Sequence, residues 1–148
     1  MFKKGPVPAF VHGLLEYAAG VLFLVAPFLL DFEDNAATAA SIVAGVLILA
    51  FTASTAMSTG LIKSIPVQAH VVIDYVLAIA LIAAPFVLGF SGDGAATAFF
   101  MALGVLYLLL TIATRFVREE PPRRLGRDAA DAPAVDGDGT VAGRRRGT

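Results

Sequence analysis

Four long apolar runs, separated by short polar breaks, organise the first 114 residues of the chain. Residues 7 to 30 contain one formal charge, Glu16; residues 36 to 62 contain none; residues 64 to 88 contain only Asp74; residues 94 to 114 contain none. A helix rising 1.5 Å per residue needs about 20 apolar residues to cross roughly 30 Å of hydrocarbon, so each run is long enough to span a bilayer. Inside lipid the backbone must satisfy its own hydrogen bonds, which favours helix, and the two-residue alternation of a barrel strand is absent. The pattern predicts an all-α membrane protein with four transmembrane helices.

The runs come in two copies. Placing Pro8 on Pro66, an offset of 58, matches His12 with His70, Glu16 with Asp74, Tyr17 with Tyr75, Pro27 with Pro85, Phe28 with Phe86 and Phe32 with Phe90. One inserted residue then moves the offset to 59, and "AATA" at 36–39 falls on "AATA" at 95–98, Gly45 on Gly104, Thr52 on Thr111 and Thr55 on Thr114. The sequence therefore reads as two tandem helical hairpins, 8–57 and 66–117, joined by a connector at 58–65. Each copy has an even number of crossings, so the two enter from the same side, as a parallel repeat about an axis along the membrane normal.

A secretory signal peptide competes for the first run, because Lys3 and Lys4 precede it and Ala37-Thr38-Ala39 resembles a cleavage site. The run is long for a signal core, acidic residues at 31–34 interrupt the approach to that site, and the run has a copy downstream. A membrane span is the better reading.

Composition sharpens this picture. The chain of 148 residues is 57% hydrophobic, more than a soluble domain of that size usually hides, and its mean hydropathy is +0.79. The net charge of −1 conceals segregation: "LDFEDN" and "GFSGDG" hold acids but no Lys or Arg, whereas the N-terminus, the connector with Lys63 and the stretch from Arg115 onward hold all of them. The bias of basic residues predicts an inner (plasma) membrane protein with residues 1–7, the connector and the C-terminus in the cytoplasm. Residues 118–148, rich in Pro, Gly, Ala and charge, read as a disordered tail. Within and just before it, Arg115, Arg118, Arg123 and Arg124 suit anionic headgroups, tempered by Glu119 and Glu120. "DGDG" at 136–139 starts like a calcium loop but lacks the downstream ligands. Cysteine is absent, which excludes thiolate metal sites and thiol catalysis, and no basic stripe with interleaved aromatics supports nucleic-acid binding.

The candidate chemistry lies in the repeated pair. His and acid stand four residues apart, so both fall on one helix face, continued by Gly20 in the first copy and Ala78 in the second. Pro8 and Pro66 suit the first turn of each helix, which places the carboxylates about 12 Å up it, at a depth where an ionisable group needs a partner and an interior position. The principal reading is packing: each His donates to its own carboxylate or to a neighbouring helix. The alternative is that His12, Glu16, His70 and Asp74 meet near the repeat axis and handle a cation or protons; two imidazoles and two carboxylates are adequate ligands for zinc or iron. Which metal, if any, is left open, and no cofactor is expected.

Of the remaining matched residues, Tyr17 and Tyr75 sit about 140° around the helix from His and suit packing or a bond to a neighbour. Pro27 and Pro85 remove a backbone donor and crowd the carbonyls of Phe23 and Leu81, bending or ending their helices. Gly20, Gly45, Ala78 and Gly104 are small residues for close helix contact, and Ala37, Ser41 and Gly45 form a small-xxx-small run. The repeated threonines either bond back to carbonyls or reach the His–acid layer.

"APFLLDF" at 26–32 and "APFVLGF" at 84–90, each closing the first helix of a hairpin, resemble the SPW-repeat family of small bacterial integral membrane proteins. Ala26-Pro27-Phe28 and Ala84-Pro85-Phe86 stand where that family has Ser-Pro-Trp; Gly89 matches its glycine in the second copy alone, and tryptophan is absent. The resemblance covers about residues 8–117 and implies a four-helix membrane protein, with no established reaction or ligand to carry over. The expected function is thus a non-catalytic packing or assembly module in the lipid bilayer, alone, as a homo-oligomer or with another membrane protein. No nucleophile is spaced with these histidines and no phosphate-cradling loop is present, so the chain is not read as an enzyme.

Overall fold

The computed structural model describes residues 5–116. The readings made for Lys3 and Lys4, for Arg118, Glu119, Glu120, Arg123 and Arg124, for the 118–148 tail and for "DGDG" lie outside those residues. Within them, four helices follow one another: α1 (Ala9–Leu29), α2 (Asn35–Ser54), α3 (Val67–Val87) and α4 (Gly94–Ala113). Each is long and apolar enough to cross a membrane. The fold is an all-α membrane bundle of two tandem hairpins, with α1 packed closely on α2 and α3 on α4. The hairpins meet through fewer contacts, α2 against α3 and α1 against α4.

Local chemistry explains where each helix starts and stops. Pro8 and Pro66 have extended backbone (ψ 147° and 144°) and occupy the N-cap, one position before the first helical turn that their sequence suggested. Proline is tolerated there for the same reason, since its missing amide proton would find no intrahelical acceptor. At the other end, Pro27 and Pro85 lie inside α1 and α3, which stop two residues later. Asp31 (φ 48°) and Gly89 (φ 80°) then take the left-handed conformation that closes a helix, and Phe32 N–H bonds back to Pro27 C=O at 3.0 Å. These two residues are repeat mates. The Gly of the second signature and the Asp of the first fill the same geometric position.

The second helix of each hairpin begins at an aspartate. Asp34 Oδ1 accepts from Ala36 and Ala37 N–H at the start of α2, and Asp93 Oδ1 accepts from Ala96 N–H at the start of α4. Asp93 also crosses to the other hairpin, where its Oδ2 accepts from Glu33 N–H at 2.8 Å and Asp34 N–H at 3.1 Å. These amide hydrogen bonds, the one from Ala96 foremost, hold its carboxyl below the usual Asp range.

At the opposite end of the bundle two short parallel pairings tie the hairpins together. β1 (Val7–Pro8) pairs with β2 (Thr114–Arg115), in register Val7 with Thr114, and Thr55 forms an isolated bridge to Ile65. Val7 and Ile65 are repeat mates, as are Thr114 and Thr55, so one contact occurs twice. The end of each hairpin is pinned against the strand-like residues that lead into a first helix.

Between these ends the core divides into two layers. Phe23, Phe90, Phe99 and Phe100 form an edge-to-face aromatic cluster toward the turns, with Phe23–Phe99 ring centroids 4.9 Å apart. Below it Gly20 faces Gly45: a Cβ on Gly45 would lie 2.7 Å from Gly20 O, so α1 and α2 approach to backbone contact there. In the second hairpin a Cβ on Gly104 would lie 3.3 Å from the carbonyl of Ala78, the mate of Gly20. Large apolar side chains such as Leu14, Val43, Val76, Ile79 and Leu106 point outward on every helix, the surface expected of a protein whose solvent is lipid.

Candidate cation centre

α1 carries His12 and Glu16 one turn apart, and α3 carries His70 and Asp74 in the same arrangement. All four are essentially fully buried. The docking of the two hairpins brings both pairs to one place, where side chains of α1 and α3 meet across the interface. His12 Nε2 lies 3.3 Å from Glu16 Oε1 on its own helix and 3.2 Å from Asp74 Oδ2 on the other. His70 Nε2 lies 3.2 Å from Glu16 Oε2 and 3.4 Å from Asp74 Oδ2. Each imidazole is therefore as close to the opposite repeat's acid as to its own. One potential ligand atom from each residue lies within 4.8 Å of every other.

The far side of each ring is held by the other repeat. His12 Nδ1 meets Thr114 Oγ1 at 2.9 Å, and His70 Nδ1 meets Thr55 Oγ1 at 2.8 Å. Both hydroxyls also donate to the carbonyl one turn back, Thr114 to Leu110 and Thr55 to Phe51, at 2.6 Å each. A hydroxyl has one proton, and at that distance it belongs to the carbonyl. The threonine oxygen is then the acceptor and His Nδ1–H the donor. In the neutral ring this leaves Nε2 as a lone pair directed into the cluster.

Glu16 is anchored more fully than Asp74. Tyr107 donates its phenolic proton to Glu16 Oε1, and Thr52 Oγ1 approaches Glu16 Oε2 at 3.2 Å while bonding to Ile48 C=O at 2.7 Å. Asp74 Oδ2, His12 Nε2 and His70 Nε2 have no aligned hydrogen-bond partner among the described residues. A buried polar atom left in that state is unfavourable by about 1–3 kcal/mol, more if charged.

The other residues singled out by sequence divide between this centre and the helix ends. Thr111 bonds back to Tyr107 C=O at 3.0 Å and lies in the same layer. Tyr17 OH donates to Thr59 C=O in the connector at 3.1 Å, rather than to a helix. The carbonyl of Phe23, freed because Pro27 has no N–H, accepts from Ser41 Oγ at 2.6 Å. Pro27 and Pro85 are buried, whereas Phe28 and Phe86 point outward with 69% and 61% of their surface exposed, so the signature's aromatic position faces lipid, away from the cluster.

Four residues were not singled out by sequence, two at the centre and two at the helix caps. Tyr107 is the largest omission; its repeat mate is Ile48, and Ser41 against Phe100 is a comparable polar–apolar exchange between the same two helices, so the exchange alone does not mark a site residue. Phe116, just after β2, stacks edge-to-face on His12 with ring centroids 5.1 Å apart. Asp34 and Asp93 were counted as loop acids, although an Asp immediately ahead of each second helix is an N-cap signal.

Four membrane-spanning helices in duplicated hairpins, with the signature "APF" closing each first helix, define a multi-pass membrane repeat protein. The chain belongs to the SPW repeat domain family, whose family model matches residues 10–114. No curated protein and no solved structure matches it.

Proposed function

We propose that this is a non-catalytic, cation-binding protein of the inner membrane, in which a positive charge held by His12, Glu16, His70 and Asp74 binds the two hairpins into one unit. The carrying observation is the convergence of two buried, unpartnered Nε2 atoms on carboxylates from both repeats. Two ionised carboxylates beside two neutral imidazoles would place a charge of −2 in a medium that solvates charge poorly. A cation in the centre, whether protons on the rings or a metal ion, removes that penalty and turns mutual repulsion into attraction across the hairpin interface.

Packing and cation binding are then parts of the same role, and they differ in one consequence. A packing cluster alone is insensitive to cation supply. The test compares unfolding of the detergent-purified chain with that of a His12→Gln/Glu16→Gln/His70→Gln/Asp74→Asn variant, across pH and with or without a divalent chelator. At pH values well above the ordinary carboxylate range, where Asp93 stays ionised in both proteins, the wild type is expected to respond to at least one of these variables and the variant to neither. A wild-type chain whose stability tracks the variant under every condition overturns the reading.

Orientation belongs to the same proposal. The end where α1 begins and α4 ends carries Lys63 and Arg115, and the turn end carries Asp31, Glu33, Asp34 and Asp93, which supports termini on the cytoplasmic side. Lipid covers the outward faces, and a second copy or another membrane protein would dock on them.

A further inference from the structure

The cation-binding reading leaves the ion's identity open, and the geometry of the centre goes further. We propose that His12 Nε2, His70 Nε2, one oxygen of Glu16 and Asp74 Oδ2 bind a single divalent transition-metal ion of the zinc class in four-coordinate geometry. This rests on the proposed function above, and it can fail while that reading stands.

Charge does not choose between protons and metal, because two imidazolium rings or one divalent ion would equally neutralise two carboxylates. Direction does. A proton on Nε2 would be aimed along a hydrogen bond at one carboxylate oxygen, yet neither ring has an aligned acceptor although two oxygens lie within 3.4 Å of each. Each Nε2 is instead nearly equidistant from one oxygen of each acid, so it points between them. Ligand atoms at the corners of a tetrahedron with metal bonds of about 2.05 Å are separated by about 3.3 Å. Asp74 Oδ2 lies at that spacing from both rings, 3.2 Å from His12 Nε2 and 3.4 Å from His70 Nε2. Each ring is as close to its nearer Glu16 oxygen, Oε1 at 3.3 Å for His12 and Oε2 at 3.2 Å for His70, so the Glu16 carboxylate would turn to offer the ion one oxygen.

The outer contacts fit as well. A histidine that ligates through Nε2 characteristically donates Nδ1–H to a fixed acceptor, which sets its tautomer and ring orientation. Thr114 and Thr55 provide that acceptor, each from the opposite repeat and each with its own proton committed to a helix carbonyl. Tyr107 orients the Glu16 carboxylate by donating its phenolic proton to Oε1. The ligand set of two nitrogens and two oxygens, with no sulfur, suits zinc or iron(II) more than calcium or magnesium, which prefer oxygen alone.

The experiment titrates Zn²⁺ and Co²⁺ into the full chain, purified in detergent and stripped with chelator. The expected result is one equivalent bound per chain, a tetrahedral Co²⁺ visible absorption, and a raised unfolding midpoint with metal. A Thr55→Val/Thr114→Val variant keeps all four ligands and a near-identical shape; its zinc affinity should fall about 10- to 100-fold. His12→Ala/His70→Ala should abolish stoichiometric binding, and because that variant risks misfolding, the threonine pair and the wild-type titration carry the decision. Folded wild type that takes up no stoichiometric zinc overturns the metal proposal, as does a six-coordinate Co²⁺ spectrum. If stability then follows pH alone, the cation is a proton and the proposed function survives without the metal. If stability follows neither pH nor metal, both fall.

Discussion

At the scale of single residues, the repeat provides internal controls, because mates with different side chains occupy the same backbone position. Gly89 and Asp31 both adopt positive φ, and nothing lies within 4 Å of a Cβ built on Gly89. Gly89→Ala should therefore destabilise through backbone strain alone, by about 1–2 kcal/mol, measured by SDS unfolding or steric trapping. Tyr107→Phe removes a phenolic hydrogen bond to Glu16 without changing the ring's packing. It should lower stability by about 1.5–3 kcal/mol, the range for bonds to charged groups, whereas the matched Ile48 side chain has no hydroxyl to lose. Ser41→Ala would strand the Phe23 carbonyl that Pro27 already deprives of its helical partner; a loss of about 1–3 kcal/mol is expected. His and acid were both legible at this scale, since their spacing puts them on one face. Tyr107 was not, because a lone tyrosine in an apolar helix is indistinguishable from a packing residue until its neighbour is known.

Elements are set by their ends and by where two helices touch. Asp93 caps α4 and bonds the other hairpin's loop, so Asp93→Ala should cost more than Asp34→Ala, which loses a cap alone, worth about 1 kcal/mol. The sign of the pH effect follows from its lowered folded-state value. Asp93's contribution is fully present above the ordinary Asp value of about 3.9 and is lost as pH falls through that value toward the lower folded one. An acid titration of wild type against Asp93→Asn should show this difference at neutral pH and its disappearance in acid. At the helix crossings, Gly45→Ala should disrupt more than Gly104→Ala. The new methyl meets the backbone oxygen of Gly20 at 2.7 Å in the first case; in the second the nearest backbone atom is Ile82 N at 3.1 Å, with an Ile82 side-chain carbon at 2.7 Å. Ultracentrifugation or unfolding in detergent would rank the two. The starts of the helices were legible from the prolines and from the turn acids, but the apolar run 36–62 continues eight residues past the end of α2 at Ser54, because hydropathy does not register where the chain leaves the helix to pair with Ile65. Pro8 and Pro66 likewise sit at the N-cap because the extended chain before them pairs across the hairpins.

For the molecule as a whole, the absence of cysteine makes topology directly testable. A single thiol introduced at Glu33 should react with an impermeant reagent from outside intact cells, and one at Ser64 should react only after permeabilisation; the reverse result would invert the bundle. Neutralising the central cluster should weaken the docking of one hairpin on the other more than insertion, since insertion follows from apolar length and the cluster spans the interface.

What the sequence determined alone is whatever depends on neighbours along the chain: four spans, their pairing into hairpins, the duplication and the helix face that carries each His and acid. Hydropathy and periodicity are local quantities, and lipid enforces helix wherever they persist. Only tertiary structure decided that His12 meets Asp74 and Thr114, that His70 meets Glu16 and Thr55, and that Tyr107 reaches Glu16. Those contacts join residues up to 102 positions apart, and their geometry is fixed by how two hairpins pack across an axis that no single helix contains.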